Sequence, residues 1–298
     1  MSKPSIVFFG AGPVALASLK SLQDSFHVEA VITKPRIGSH KAEILDYAQA
    51  QKLPLHAFAN KAELAQLLDT QSFQSSVGVV VDYGIIIPQS VIDKFDKGIV
   101  NSHFSLLPQW RGADPITFAI LSGQKQTGVS LMLIVEKLDE GPLLAQEKLV
   151  ISPEDTTETL THKLVKLSNK MLAGVLPKYL SGDVKPTAQK ESNVSYSRLL
   201  TKADGKLDPA KSAEQLEREV RSYQPWPKSY FEWQGQNLIV TKSAASEVGV
   251  DPGKLEINNG KLHLGCKDGS LEILEIQPAG KKSMDAKNFI NGYKSLLD

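Results

Sequence analysis

The sequence contains one cysteine, Cys266, so no intramolecular disulfide can form and a reducing compartment is the simplest setting. A lone thiol of this kind reads as a small buried hydrophobe in a strand. No charge of either sign dominates: Lys and Arg total 34, Asp and Glu 33, the formal net charge is +1 and the pI about 7.8. That balance neither demands nor excludes a nucleic-acid partner, because a local basic face can sit on a neutral average. Long apolar runs are missing too. Val77–Val81 and Ile85–Ile87 are separated by Asp82, Tyr83 and Gly84 and fall far short of the roughly 20 residues a membrane helix needs. The N-terminal Met1-Ser2-Lys3-Pro4-Ser5 leads straight into a strand-like run without the apolar stretch of a secretory signal, so a cytoplasmic protein without a membrane partner is expected. There is no internal repeat and no low-complexity tract.

A chain of 298 residues, 41% hydrophobic and 22% charged, suits two globular domains with ample core and no structural metal. Ser5–Phe9 predicts a buried strand, Val14–Gln23 a helix, Val28–Thr33 a strand, Ala42–Gln51 a helix, Leu53–Ala57 a strand and Lys61–Leu68 a helix. Val77–Tyr83 is the β-branched run of a strand buried on both faces, followed by a short helix at Ser90–Lys94 and a strand at Ile99–Ser102. This alternation predicts an α/β fold, a doubly wound, Rossmann-like, mostly parallel sheet. Thr127–Val135 reads as a further strand and Thr157–Leu180 as a long helix. Lys185–Ser197 is polar and aperiodic and reads as a linker. Beyond it, a helix over Ser212–Arg221 precedes short strands at Tyr230–Trp233, Leu238–Ser243, Gly253–Ile257, Lys261–Leu264 and Leu271–Gln277, a spacing that suggests a small OB-like β-barrel. The expected division is a catalytic domain over 1–188, a linker over 189–205 and a C-terminal domain over 206–298.

Two places carry chemistry. Gly10-Ala11-Gly12-Pro13-Val14-Ala15 fits the dinucleotide fingerprint between a strand and a helix. The acidic residue expected after the second strand is missing from Val31-Ile32-Thr33-Lys34-Pro35-Arg36, although Lys34 and Arg36 could meet a 2′-phosphate. The plainer reading is a tight βα turn whose glycines permit close backbone approach. In the second place, Asn101 and His103 alternate along a strand end and so share one side, facing the crevice where parallel sheets bind ligands. An amide can stabilise an oxyanion and an imidazole can move protons near neutral pH. Asp139, in the turn Leu138-Asp139-Glu140-Gly141-Pro142, supplies a carboxylate that could orient the imidazole.

The segment Asn101-Ser102-His103-Phe104-Ser105-Leu106-Leu107-Pro108-Gln109-Trp110-Arg111-Gly112-Ala113-Asp114-Pro115-Ile116 resembles the signature of the formyltransferases that use 10-formyltetrahydrofolate. Tyr83-Gly84-Ile85-Ile86-Ile87-Pro88 upstream, and Thr127-Gly128-Val129-Ser130 and Leu138-Asp139-Glu140-Gly141 downstream, resemble further elements of that family in family order. The resemblance implies that Asn101, His103 and Asp139 are the catalytic trio. It implies folate contacts from Ser105, Leu106, Leu107 and Pro108. The pterin would lie between Tyr83, Gly84, Ile85 and Ile86 on one side and Glu140 and Gly141 in the loop Asp139–Leu143 on the other. No metal is implied, and His56, His103, His162 and Asp139 have no recurring ligand spacing.

Members of that family act on methionyl-tRNA, glycinamide ribonucleotide or amino sugars. Tyr223-Gln224-Pro225-Trp226-Pro227 resembles a segment of the tRNA-directed and some sugar-directed members, and Ile276-Gln277-Pro278-Ala279-Gly280-Lys281-Lys282-Ser283-Met284 resembles the ending of the tRNA-directed members, which implies initiator methionyl-tRNA as the partner, with the protein acting as a monomer. Arg36, Lys41, Lys202, Lys206, Lys281 and Lys282 are the candidate tRNA contacts, with Arg218, Arg221, Lys228 and Lys242 as further basic residues. Trp226 and Trp233 read as core aromatics. Three features depart from the family pattern: a short loop at Lys34–Lys41, Asp82 in place of a small residue, and Asp114 in place of alanine. The short loop leaves an amino-sugar acceptor as the alternative, and a non-catalytic folate- or RNA-binding module is the reading from a different class.

Overall fold

The computed structural model describes residues 3–36, 42–68 and 71–297. They form two compact units, unit 1 from Met1–Pro115, Gln126–Val150 and Thr161–Ser197, and unit 2 from Ile116–Lys125, Ile151–Leu160 and Arg198–Asp298. Two short stretches before residue 188 thus belong to unit 2.

The chain starts as β1 (Ser5–Gly10), α1 (Gly12–Leu22), β2 (His27–Thr33), α2 (Glu43–Ala50), β3 (Leu55–Ala57), α3 (Lys61–Leu68), β4 (Gly78–Val81), α4 (Gln89–Ile92) and β5 (Ile99–His103). The strict alternation then ends. Next come β6 (Arg111–Gly112), α5 (Pro115–Leu121), the antiparallel pair β7 (Gln126–Leu133) and β8 (Leu143–Val150), α6 (Thr157–Ser181) and β9 (Tyr196–Ser197). The main sheet has the order β3-β2-β1-β4-β5-β7-β8. It is parallel as far as β5 and antiparallel for its last two pairs. β1 and β4 are buried almost throughout, as strands covered on both faces must be. β8 escapes a period-two reading because Gln146, Glu147 and Lys148 are all exposed on this outermost strand.

The core of unit 1 gathers Val7, Phe9, Ile32, Tyr83, Ile87, Phe95 and Ile99. Phe9 meets the edges of Tyr83 at 5.9 Å and Phe95 at 6.1 Å between centroids, the geometry aromatic quadrupoles prefer. Lys185–Ser197, expected to be a linker, is fastened to unit 1. Leu143 and Thr187 exchange two backbone hydrogen bonds of 2.7 and 2.8 Å, and β9 pairs with β6. Its lack of periodicity follows from this, because single bridges and two-residue strands impose no repeating pattern.

Unit 2 holds α7 (Ala213–Ser222), capped by the Ser212 hydroxyl, which accepts from the Gln215 amide at 3.2 Å. Its sheet consists of β10 (Ser229–Trp233), β11 (Gln236–Ser246), β12 (Leu255–Asn258), β13 (Lys261–Gly265) and β14 (Ser270–Pro278), in the order β10-β11-β14-β13-β12. β15 (Met284–Asp285) pairs with β14, and α8 (Ala286–Leu297) follows. All pairings are antiparallel, and β10 and β12 form the edges of a half-barrel rather than closing it. Trp233 packs on Phe289 and Tyr293, as expected for a core aromatic. Trp226 does not: its side chain is 55% exposed. Pro225 and Pro227 on either side have no backbone N–H to give to a sheet, so the segment stays outside β10.

In the turn that opens unit 2, Arg198 donates to Asp204 at 3.0 and 2.5 Å, and the Thr201 amide and hydroxyl donate to the same carboxylate. The Arg198 hydrogen bond above all holds the Asp204 carboxyl well below the usual carboxylate range. A carboxyl depressed by folding stabilises the fold above its unfolded pKa of about 4 and loses that contribution as pH falls toward the folded value. Asp204→Asn is therefore expected to lower the melting temperature at neutral pH and to converge on wild type below about pH 4. A gap that is constant across this range would show that the pair carries no such linkage.

Candidate active site

The site is built where the sheet changes from parallel to antiparallel. β5 lies between β4 and β7, with Asn101 opposite Val80 on one side and Met132 on the other, and His103 opposite Ser130. The Ser102 hydroxyl bonds Ser168 of α6 at 2.6 Å, which fixes the α6 face of β5 and turns Asn101 and His103 to the other face. Asn101 is half-buried.

His103 is buried, and its Nε2 lies 2.9 Å from the Trp110 carbonyl oxygen. A carbonyl only accepts, so Nε2 carries the proton and donates. In the neutral ring, Nδ1 then holds the lone pair. Nδ1 faces Asp139 Oδ2 at 3.7 Å, too long for a hydrogen bond but close enough to stabilise an imidazolium. Asp139 is buried, has φ +54°, and accepts from the Gly112 amide at 2.8 Å through Oδ2. The turn is tight: a Cβ on Gly141 would lie 1.8 Å from the Leu133 carbonyl oxygen.

Arg111, quoted in the signature but given no role from sequence, is the largest fully buried side chain, at 2% exposure. It donates to Gln189 Oε1 through Nε at 3.3 Å and Nη2 at 2.9 Å, and faces Glu140 at 3.5 Å and Glu191 at 3.8 Å. Gln189 Nε2 donates in turn to the carbonyls of Asp139 at 2.7 Å and Gly141 at 2.8 Å. No sequence signal singles out Gln189, a polar residue in an aperiodic stretch.

The segment assigned to folate contact is held from behind. Ser130 Oγ donates to Ser105 O at 2.6 Å and accepts from the Leu107 amide at 3.0 Å, while Gln146 Nε2 donates to Leu107 O at 2.8 Å. Ser105 is fully buried and gives its own hydroxyl to Gln109 O at 2.6 Å. Leu107 is buried, and Leu106 and Pro108 are half-buried. Tyr83 is buried with its hydroxyl unpartnered among the described residues, and burial pushes its phenol well above the ordinary range. Gly84 is exposed, with φ +66° and the Lys34 ammonium against it; Ile85 is half-buried. Ile86, 65% exposed, stands on one of the loops assigned to the pterin walls, and Leu138, 64% exposed, directly precedes the other, so each offers an apolar side chain to solvent. Asp82, at φ +48°, is open to solvent, yet the protein mass around its crevice raises its carboxyl above the usual range, against the pull of Lys34.

The glycine-rich turn is explained by packing. A Cβ on Gly10 would meet Ala15 Cβ at 2.6 Å and Val81 O at 2.7 Å, and the Ala11 amide already donates to Asp82 O at 2.9 Å. Among the basic candidates, Lys202, Lys206, Lys281 and Lys282 are exposed in unit 2, and Arg36 pairs with Asp46 on the surface of unit 1. Lys41 lies outside the described residues. Arg218 and Arg221 turn inward: Arg218 donates to Leu121 O and Gln215, Arg221 to Glu217 and Asp155 O. No cluster of three or more His, Cys, Asp or Glu among the described residues could hold a metal ion, and no described helix is long and apolar enough to cross a membrane.

The formyl transferase family model matches residues 5–176, and the model of the formyl transferase C-terminal domain matches residues 199–294. The methionyl-tRNA formyltransferase of Myxococcus xanthus is 35% identical over 99% of this chain and 96% of its own length. That of Lactobacillus johnsonii is 33% identical over 98% and 96%. Among solved structures, the sugar 3N-formyl transferase WlaRD matches with a TM-score of 0.72 at 19% identity, over 95% of this chain and 100% of its own. The methionyl-tRNA formyltransferase from Clostridium thermocellum matches with 0.54 at 16% identity, over 91% and 98%. HypX from Aquifex aeolicus in complex with tetrahydrofolic acid matches with 0.67 at 15% identity over 97% of this chain, which spans about half of HypX, 47% of its length. At these identities the solved structures speak for the fold.

The Gly141 contact yields a test. Gly141→Ala must displace the Asp139 turn and is expected to destabilise the protein by about 1–3 kcal/mol, read by urea denaturation. A variant as stable as wild type would show that the turn tolerates a side chain there.

Proposed function

The chain belongs to the formyl transferase family, and from that premise we propose that it transfers the formyl group of 10-formyltetrahydrofolate to the free amino group of methionyl-initiator tRNA, giving N-formylmethionyl-tRNA for translation initiation. The observation that carries this reading is identity of 33–35% to methionyl-tRNA formyltransferases along nearly the whole chain, both units included. Amino-sugar acceptors are favoured only by likeness of fold, at 19% identity or less.

The donor supplies the formyl carbon. The acceptor amine attacks it, a carbon–nitrogen bond forms to the amine, and the bond from carbon to the folate nitrogen breaks. A proton must leave the attacking nitrogen and one must reach the departing nitrogen. The half-buried Asn101 carboxamide is suited to donate to the formyl oxygen as negative charge gathers there. His103 presents an Nδ1 lone pair as proton acceptor, and the Asp139 carboxylate stabilises the resulting imidazolium, with the proton then passing to the leaving nitrogen. Tyr83, Gly84, Ile85 and Ile86, with Glu140 and Gly141 of the Asp139–Leu143 turn, would hold the pterin, and Ser105, Leu106, Leu107 and Pro108 would contact the folate. Unit 2, with exposed Lys202, Lys206, Lys281 and Lys282, contributes phosphate contacts to the tRNA, joined by Arg36. The protein acts as a monomer in the cytoplasm.

Purified protein supplied with 10-formyltetrahydrofolate and charged initiator tRNA is expected to form N-formylmethionyl-tRNA. Turnover of an amino-sugar nucleotide in place of the charged tRNA would reject this acceptor. His103→Ala and Asp139→Ala are each expected to lose about 10²–10⁴-fold in kcat while folding normally. Full activity in either variant would remove that residue from the mechanism.

A further inference from the structure

We propose that Gln189 is a positioning residue for formyl transfer, acting through Asp139; the inference rests on the role given to Asp139 above. The side chain uses its whole hydrogen-bonding capacity on one task. Its oxygen accepts both Nε and Nη2 of Arg111, and its two N–H groups reach the Asp139 and Gly141 carbonyls at 2.7 and 2.8 Å. Gln189 therefore grips the turn on both sides of Glu140.

The other end of the tie is the chain at 110–112. Within these three residues, the Trp110 carbonyl holds His103 Nε2, the Arg111 side chain holds Gln189, and the Gly112 amide holds the Asp139 carboxylate. That stretch is itself pinned by the chain carrying Gln189. Ser195 Oγ accepts from the Trp110 amide at 3.0 Å, the Ser195 carbonyl accepts from the Arg111 amide at 2.9 Å, and β6 pairs with β9. The stretch at 110–112 and the turn that carries the carboxylate are thus tied by the Gln189 carboxamide, alongside the Gly112 amide on Asp139 and the Arg111–Glu140 pair.

The geometry it protects is narrow. Asp139 has a left-handed φ of +54°, a conformation that persists in a non-glycine residue only when the surroundings impose it. The 3.7 Å from His103 Nδ1 to Asp139 Oδ2 is long enough that a small drift of the turn would take the carboxylate out of useful range. Gln189 touches none of the trio's reacting groups, so its contribution is to hold the turn where the carboxylate faces the ring.

A double-substitution cycle tests this with formylation of charged tRNA in single-turnover assays. Gln189→Ala is expected to lower the rate by about 10²-fold, the scale of a misplaced catalytic group. Gln189→Glu covers the case in which Gln189→Ala fails to fold, because a carboxylate still compensates Arg111 while both donors to the turn are lost. In an Asp139→Asn background the same substitutions should cost little more, since the group they misplace is already disabled. Losses that multiply in the double variants, or wild-type rates for folded Gln189 variants beside an impaired Asp139→Asn, would overturn the tie alone. Wild-type rates for Asp139→Asn would overturn the role of Asp139 and the tie with it.

Discussion

The site is organised around a buried positive charge. The Arg111 guanidinium is 2% exposed, and an ion withdrawn from water that far costs several kcal/mol unless its donors are met. Gln189 accepts from two of its N–H groups and Glu140 and Glu191 balance its charge, from two pieces of chain that Leu143 and Thr187 also join. Its partners add to the backbone pairings that already bring 110–112, 139–141 and 187–197 into a single assembly. Asn101 and His103 need no such help, because a strand between two hydrogen-bonded neighbours already fixes them. Asp139 does need it, because it sits on a turn beyond the end of β7.

How far the sequence foretells this structure depends on whether order comes from a period or from a single contact. The parallel strands and α1, α2, α3 and α6 were legible because burial on a repeating face writes itself into the residue pattern. Alternation alone placed Asn101 and His103 on one side, and Ser102 bonding Ser168 behind the sheet is the physical counterpart of that inference. The tie through Gln189 leaves no trace of this kind. One glutamine in a polar stretch looks the same whether it faces solvent or three buried partners. Trp226 fails for the opposite reason: apolar character predicted burial, while two flanking prolines withheld the hydrogen bonds that would have drawn the segment into the sheet.

The two halves of the functional reading stand on different physics. The formyl transfer proposed above calls on a small constellation, and the three groups it would use, an amide, a ring with a defined tautomer and a carboxylate near it, all lie in unit 1. The proposed acceptor rests instead on likeness along the entire chain, because the exposed lysines offered as its contacts would each be worth little and no distance marks them out. Arg218 and Arg221 show why counting basic residues misleads. Both are engaged with carbonyl and side-chain oxygens inside unit 2 and offer less to a phosphate than their position in the sequence suggests.

The glycine-rich turn after β1 has one more consequence. In sheets of this kind the mouth of the first helix is where free amides receive the phosphates of nucleotides. Here the Ala11 amide is already bonded to the Asp82 carbonyl, and the Asp82 carboxyl oxygen hangs close to Gly12. An incoming anion would meet oxygen where it seeks hydrogen. The chain thus sets a carbonyl and a carboxyl oxygen of its own at the place where such sheets receive a nucleotide.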